Sequence, residues 1–158
     1  VIAVSIYLFN ARGYRLTGWV HEDGEWFYYG SSGGQASGWV RVHGTWYYLD
    51  PISGAMASGW MKVQGAWYYL SSSGAMRTGW VRDGSSWYYL ADSGAMATGW
   101  ARIGSSWYHF APSGAMSTGW LKDGGSWFYL SSSGAMVTGA RWIDGTRYVF
   151  DDQGRLQE

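Results

Sequence analysis

The sequence predicts an all-β solenoid of stacked hairpins, about seven repeats of some 20 residues, with no helix. Three observations predict it: a Gly-Trp pair recurring at a near-constant interval, a second Trp seven residues after each of the first six, and turn residues between them. The pairs are Gly18-Trp19, Gly38-Trp39, Gly59-Trp60, Gly79-Trp80, Gly99-Trp100 and Gly119-Trp120, with a degraded seventh copy at Gly139-Ala140. The interval is 20 residues, with a single step of 21. Twelve of the 13 Trp therefore fall in two columns, and only Trp142 stands outside them.

Taken along the chain, the apolar run Val1–Phe9, interrupted by Ser5, reads as a strand. It is too short to span a bilayer and lacks the basic segment of a signal peptide. Its last part, Ile6 to Phe9 followed by Gly13, aligns with the second half of a repeat, so residues 1–16 are read as an N-terminal half-repeat cap. Six full repeats occupy 17–137. In each, the second Trp (Trp26, Trp46, Trp67, Trp87, Trp107, Trp127) opens an aromatic run such as Trp67-Tyr68-Tyr69-Leu70, made of strong strand formers. Between the two Trp lie Asp23-Gly24, His43-Gly44, Gln64-Gly65, Asp83-Gly84, Ile103-Gly104 and Asp123-Gly124, read as the tight turns of β-hairpins. A Ser/Gly-rich connection follows and ends in Gly-Ala-Met at Met56, Met76, Met96, Met116 and Met136, whereas Gln35 stands in that place in the first repeat. Residues 138–158, with Arg147 to Phe150 and Gly154, form a degenerate C-terminal capping repeat. A lone two-stranded hairpin is marginal in water, so such hairpins must cover one another's rings by stacking.

Composition narrows the function. Thirteen Trp, 13 Tyr and 5 Phe with 25 Gly and few charges do not describe a disordered chain. Eleven basic residues balance 11 acidic ones, so the electrostatic footprint of a nucleic-acid or anionic-membrane binder is missing. Zero Cys forbids disulfides and thiolate metal sites. His21, His43 and His109 fall in non-equivalent positions, and no paired carboxylates recur, so neither a metal site nor a catalytic centre is expected. No cofactor is called for.

Side chains of a strand alternate faces, so both faces of each hairpin are largely apolar: one can pack inward while the other walls a groove. Burying a ring stabilises by about 2–3 kcal/mol, which alone can justify aromatics in a spacer solenoid. Yet a packing-only array would mix Leu, Ile and Val, and both columns hold Trp six times in six. Paired indoles with a nearby Tyr suit a quaternary ammonium, which has no donors for a salt bridge but is held by ring faces at roughly 0.5–2 kcal/mol per contact. A sugar site also uses rings but adds polar side chains that fix hydroxyls, and no amide or carboxylate column recurs. A basic column is visible too. Two residues after each first Trp stand His21, Arg41, Lys62, Arg82, Arg102 and Lys122, on the Trp face of a period-2 strand. The last five can meet a phosphate joined to the ammonium, or form a solvated edge that discourages strand aggregation.

The unit Thr-Gly-Trp-x(6)-Trp-Tyr-Tyr-Leu-x(3)-Gly-Ala-Met, as from Thr78 to Met96, resembles the choline-binding repeat of bacterial surface proteins and of phage or autolytic cell-wall lysins, over essentially the whole chain. Glucan-binding repeats of glucosyltransferases and receptor-binding repeats of clostridial toxins share the superfamily but typically lack the Gly-Trp and Gly-Ala-Met signatures. The resemblance implies a left-handed superhelix of hairpins with choline between consecutive ones, in cages of two Trp from one repeat and a ring from the next, with Met close by. Carried over by position, the cages are Trp19, Trp26 and Tyr47; Trp39, Trp46 and Tyr68; Trp60, Trp67 and Tyr88; Trp80, Trp87 and Tyr108; Trp100, Trp107 and Phe128; and Trp120, Trp127 and Tyr148. The fifth replaces Tyr by Phe and keeps the ring without its hydroxyl. The resemblance further implies a secreted, non-catalytic cell-wall targeting module that binds choline or phosphocholine on (lipo)teichoic acid, with ligand-induced homodimerisation known in such proteins. A glucan-binding module and a structural spacer are the alternatives.

Overall fold

The computed structural model describes residues 4–158 and divides the chain into two compact units, one ending at Arg77 and the other running Thr78–Glu158. The first holds three hairpins: β1 (Gly18–Glu22) with β2 (Glu25–Tyr29), β3 (Gly38–Val42) with β4 (Thr45–Leu49), and β5 (Gly59–Val63) with β6 (Ala66–Leu70). The second holds four: β7 (Gly79–Asp83) with β8 (Ser86–Leu90), β9 (Gly99–Ile103) with β10 (Ser106–Phe110), β11 (Gly119–Asp123) with β12 (Ser126–Leu130), and β13 (Gly139–Ile143) with β14 (Thr146–Phe150). Every named strand is five residues long, and every sheet contains only its own two strands. No helix occurs among the described residues.

Every loop has two residues, at a fixed place in the repeat. In β1–β2 the loop is Asp23-Gly24, with φ of 50° and 83°, and His43-Gly44 and Gln64-Gly65 repeat that geometry. Two positive φ angles are the requirement of a type I′ turn, whose twist suits a hairpin. The expected turns Asp83-Gly84, Ile103-Gly104 and Asp123-Gly124 are displaced by one. Asp83, Ile103 and Asp123 pair with Ser86, Ser106 and Ser126 as last strand residues, and the loops are Gly84-Ser85, Gly104-Ser105 and Gly124-Gly125. The strand pairing is set by the Trp columns, so glycine has moved along the loop while the register has stayed.

Residues 1–9 were expected as a strand. Val1–Ala3 lie outside the described residues, and Val4–Phe9 is not continuous strand: only Tyr7 and Phe9 make isolated bridges, to Gly34 and Arg15. The segment is held by single amide bonds, Gln35 N–H to Ile6 O at 2.9 Å and Leu16 N–H to Leu8 O at 2.8 Å, with no partner strand in ladder register among the described residues.

Among the described residues no sheet is shared between hairpins, and within each unit side chains and connections join them. The last residue of each second strand is the most deeply buried part of the core: Tyr29, Leu49 and Leu70 in the first unit, and Leu90, Phe110, Leu130 and Phe150 in the second, none more than 3 % exposed. Each connection then turns back. Its first residue braces the bend, as where Asp50 Oδ1 accepts from the amides of Ile52 and Ser53, which holds that carboxyl below the usual carboxylate range. The residue at the end of the connection docks on the preceding hairpin. Met56 N–H donates to Trp26 O, Met76 to Trp46, Met116 to Trp87, Met136 to Trp107 and Leu156 to Trp127, all at 2.8 Å. The Met side chain lies against a glycine of the next connection. A Cβ built on Gly74 would fall 2.3 Å from Met56 Sδ, and Gly134 and Gly154 stand likewise over Met116 and Met136. These glycines also have φ of 81–87°, so backbone and neighbour both demand them.

Candidate functional site: aromatic cages between hairpins

Cross-strand pairing decides which side chains share a face. In β1–β2 Trp19 opposes Tyr28 and His21 opposes Trp26, so these four project together; in β3–β4 Val40 opposes Tyr47 on the other face. Within each unit, a cage forms where the Trp face of one hairpin meets the opposite face of the next.

The first Trp is the hub. In the second cage Trp39 lies 6.4 Å from Trp46 at 90° and 4.9 Å from Tyr68 at 66°. The fourth gives 6.4 Å and 85° for Trp80–Trp87, and 4.9 Å and 69° for Trp80–Tyr108. The sixth gives 6.3 Å and 88° for Trp120–Trp127, and 4.9 Å and 75° for Trp120–Tyr148. In the first, Trp19 meets Tyr47 at 4.8 Å and 68°; in the fifth, Trp100 meets Phe128 at 4.9 Å and 59°. Two walls thus stand steeply to the hub, like adjoining sides of a box. Ring pairs favour such edge-to-face approach, so the box is also a stable packing arrangement. Behind the hub its cross-strand neighbour braces it: Tyr28, Tyr48, Tyr69, Tyr89, His109 or Tyr129, at 4.9–5.2 Å.

The boxes are open. Cavities of about 330, 450 and 360 Å³ occupy the first, fourth and fifth, within the range of small-molecule sites. The second Trp of every repeat is 40–44 % exposed, a cost that core packing does not explain. The triads in the first, second, fourth, fifth and sixth positions are thereby brought together. Trp60, Trp67 and Tyr88 draw on both units and stay a sequence expectation.

Met56, Met116 and Met136 line the first, fourth and fifth cavities, adding a polarisable thioether beside the rings. Gln35, which departs from the Met column, sits one step before the first cage, its amide on Ile6, so the first cage has its Met. One group escaped the sequence reading. Ser72 and Ser73 complete the first cavity, Ser132 and Ser133 the fourth, and Asp152, Gln153 and Arg155 the fifth. These come from the connection after the next hairpin but one, in stretches that the sequence marks only as Ser/Gly-rich connections or as part of the C-terminal cap. Their repeat period is the only signal that could have shown them.

The basic column flanks the cages. Arg41, Lys62, Arg82, Arg102 and Lys122 stand opposite Trp46, Trp67, Trp87, Trp107 and Trp127 in the pairing register. Arg41 Cζ lies 6.0 Å from the Trp46 ring centroid and Lys122 Nζ 5.8 Å from that of Trp127; His21 rests on Trp26 at 4.8 Å. Of the other imidazoles, His43 sits in a turn and His109 hydrogen-bonds Ser117 Oγ at 2.8 Å.

Such a fold and site define a class: hairpin-repeat binding modules that trap a ligand on aromatic walls. A family profile described as the choline-binding repeat matches residues 16–58, 57–98 and 97–138, so the chain belongs to the choline-binding repeat family. Among solved structures, CbpJ from Streptococcus pneumoniae is 41% identical, with a TM-score of 0.93, over 96% of this chain and 56% of that one. Choline binding protein F from the same species, solved with a tetrasaccharide-pentapeptide peptidoglycan analogue, is 42% identical with a TM-score of 0.89 over 96% and 55%. The pneumococcal cell-wall endolysin of phage Cp-1, solved with choline, is 37% identical with a TM-score of 0.56 over 78% and 37%. The chain spans little more than half the length of the first two. No curated protein sequence matched it.

Proposed function

We propose that the chain is a non-catalytic module that attaches its protein to the bacterial cell surface by holding the choline of (lipo)teichoic acid in cages between consecutive hairpins. The observation that carries this reading is the box itself: a half-buried indole, an exposed indole at right angles to it and a third ring at about 70°, around open space. A trimethylammonium group offers no hydrogen bond, so rings with a thioether satisfy it where a salt bridge cannot. The family and the phage endolysin solved with choline support the same ligand, and the relative solved with a peptidoglycan analogue supports a cell-wall setting.

A single open cage is weak. Choline repeated along a polymer makes each later capture intramolecular, and attachment comes from that multiplicity. Residues 1–16 and 138–158 cap the six central repeats, while Tyr148 also lends the sixth cage its third wall. Arg41, Lys62, Arg82, Arg102 and Lys122 are proposed phosphate contacts, supported by their place beside the exposed indoles. If Arg82→Gln and Arg102→Gln weaken free choline and phosphocholine equally, that role is excluded.

Choline at millimolar concentration is expected to quench Trp fluorescence and raise Tm, since the ligand binds only the folded array. Quenching by a soluble glucan and not by choline would replace this reading with carbohydrate binding; a response to neither would leave a spacer. Sedimentation with and without choline tests whether the ligand pairs two copies.

A further inference from the structure

The fifth cage differs from the fourth at the mouth. Where Ser132 and Ser133 edge the fourth cavity, the corresponding connection puts Asp152, Gln153 and Arg155 on the fifth. By repeat position Arg155 takes the place held by Ala55, Ala75, Ala95, Ala115 and Ala135, so a guanidinium stands where those five connections have a methyl group. The backbone of this connection is braced: Asp151 Oδ1 accepts from the amides of Gln153 at 2.9 Å and Arg155 at 2.8 Å, and Gln157 Nε2 donates to Arg155 O at 2.9 Å. Arg155 is exposed. Behind the rings, Trp100 Nε1 donates to Asp123 Oδ2 at 2.8 Å, fixing the hub indole of this cage.

We propose that the fifth cage reads the group attached to the ammonium: it prefers a phosphocholine ester to free choline, with the Arg155 guanidinium meeting the phosphate and the rings the cation. This deepens the choline reading and rests on it. A quaternary ammonium gives the protein nothing to hydrogen-bond, so selectivity among choline compounds must come from outside the box. A planar guanidinium suits phosphate oxygens, and a rim of two serine hydroxyls carries no charge to offer one. Arg102, opposite Trp107, does not set this cage apart, because Arg82 stands likewise beside Trp87 in the fourth. Asp152 brings a negative charge to the same rim, which favours the ammonium of either ligand and works against the phosphate, so the preference for the ester is carried by the guanidinium.

The test labels the whole chain with 5-fluorotryptophan, assigns the Trp87 and Trp107 resonances with Trp87→Phe and Trp107→Phe, and titrates choline and phosphocholine. Phosphocholine is expected to bind about threefold tighter than choline at Trp107 relative to the same ratio at Trp87, the size of an exposed charge contact. Arg155→Gln abolishes that difference by weakening phosphocholine, while free choline at Trp107, relieved of a neighbouring positive charge, binds no more weakly; Asp152→Asn weakens choline more than phosphocholine. Equal ratios at the two indoles, or a ratio at Trp107 that survives Arg155→Gln, overturn the proposal. If choline moves neither resonance, it is the choline reading that fails. Arg155→Gln should also lower retention on phosphocholine-bearing teichoic acid and leave phosphatidylcholine vesicle binding as it was; the reverse result makes a lipid headgroup the source and overturns the assignment to the wall.

Discussion

The fourth and fifth cages lie in one unit, are built from adjacent hairpins, and keep the same walls while changing the rim. Hub-to-third-ring distances are 4.9 Å in both, although Phe128 replaces the Tyr108 type of wall. The rim goes from two serines to an acid, an amide and a base. Strand positions answer to two hairpins at once, through pairing and ring packing, and tolerate little change. Connection residues answer to a local bend and can vary. The proposed cation contacts therefore lie in the strands, and the proposed discriminating contact in a connection.

The comparison breaks most completely through what both cages share. Phe110 is fully buried and touches Trp80 at 5.8 Å, so Phe110→Ala is expected to cost about 3–5 kcal/mol and to degrade both cages together, measured by denaturant unfolding and choline titration. Glycine substitutions separate them. Gly134→Ala displaces Met116 of the fourth cage and Gly154→Ala displaces Met136 of the fifth; each also forces a φ above 80°, so a loss of about 1–3 kcal/mol in stability should accompany weaker choline binding at its own cage only. Smaller in stability, Trp87→Ala and Trp107→Ala remove exposed walls. Binding at the affected cage should fall about tenfold, from the loss of one cation–π contact, with little change in Tm, followed by fluorine resonances of the remaining tryptophans. Smallest of all is Phe128→Tyr, expected to change choline affinity at the fifth cage by less than about twofold, because the ring face and not the hydroxyl holds the cation. A large gain there would make the hydroxyl a true contact and the two walls unequal.

The hairpins and both Trp columns were legible because a fixed period displays in one dimension what stacking does in three. The Trp columns, such as Trp80 and Trp87, were visible in the spacing, whereas the third ring, such as Tyr108, was named only through the family resemblance carried over by position. Other features were misread or missed. The turns after β7, β9 and β11 were misplaced because glycine is the loudest turn signal, whereas register is fixed by cross-strand pairs such as Asp83 with Ser86. The strand expected before Phe9 is absent from the described residues because residue preference does not supply a pairing partner. Ser132 and Arg155 escaped as site residues because they reach their cages from two hairpins away, a distance that local reading treats as unrelated.

That reach has a consequence for truncation. The amide bonds from Met136 to Trp107 and from Leu156 to Trp127 show successive segments leaning backward on what precedes them. Deleting residues 139–158 would strip one closing side, Tyr148, from the last box and the whole charged lip from the box before it. Loss of a single terminal repeat would thus impair two ligand positions, and the number of finished traps in such an array must always lag behind the number of its hairpins.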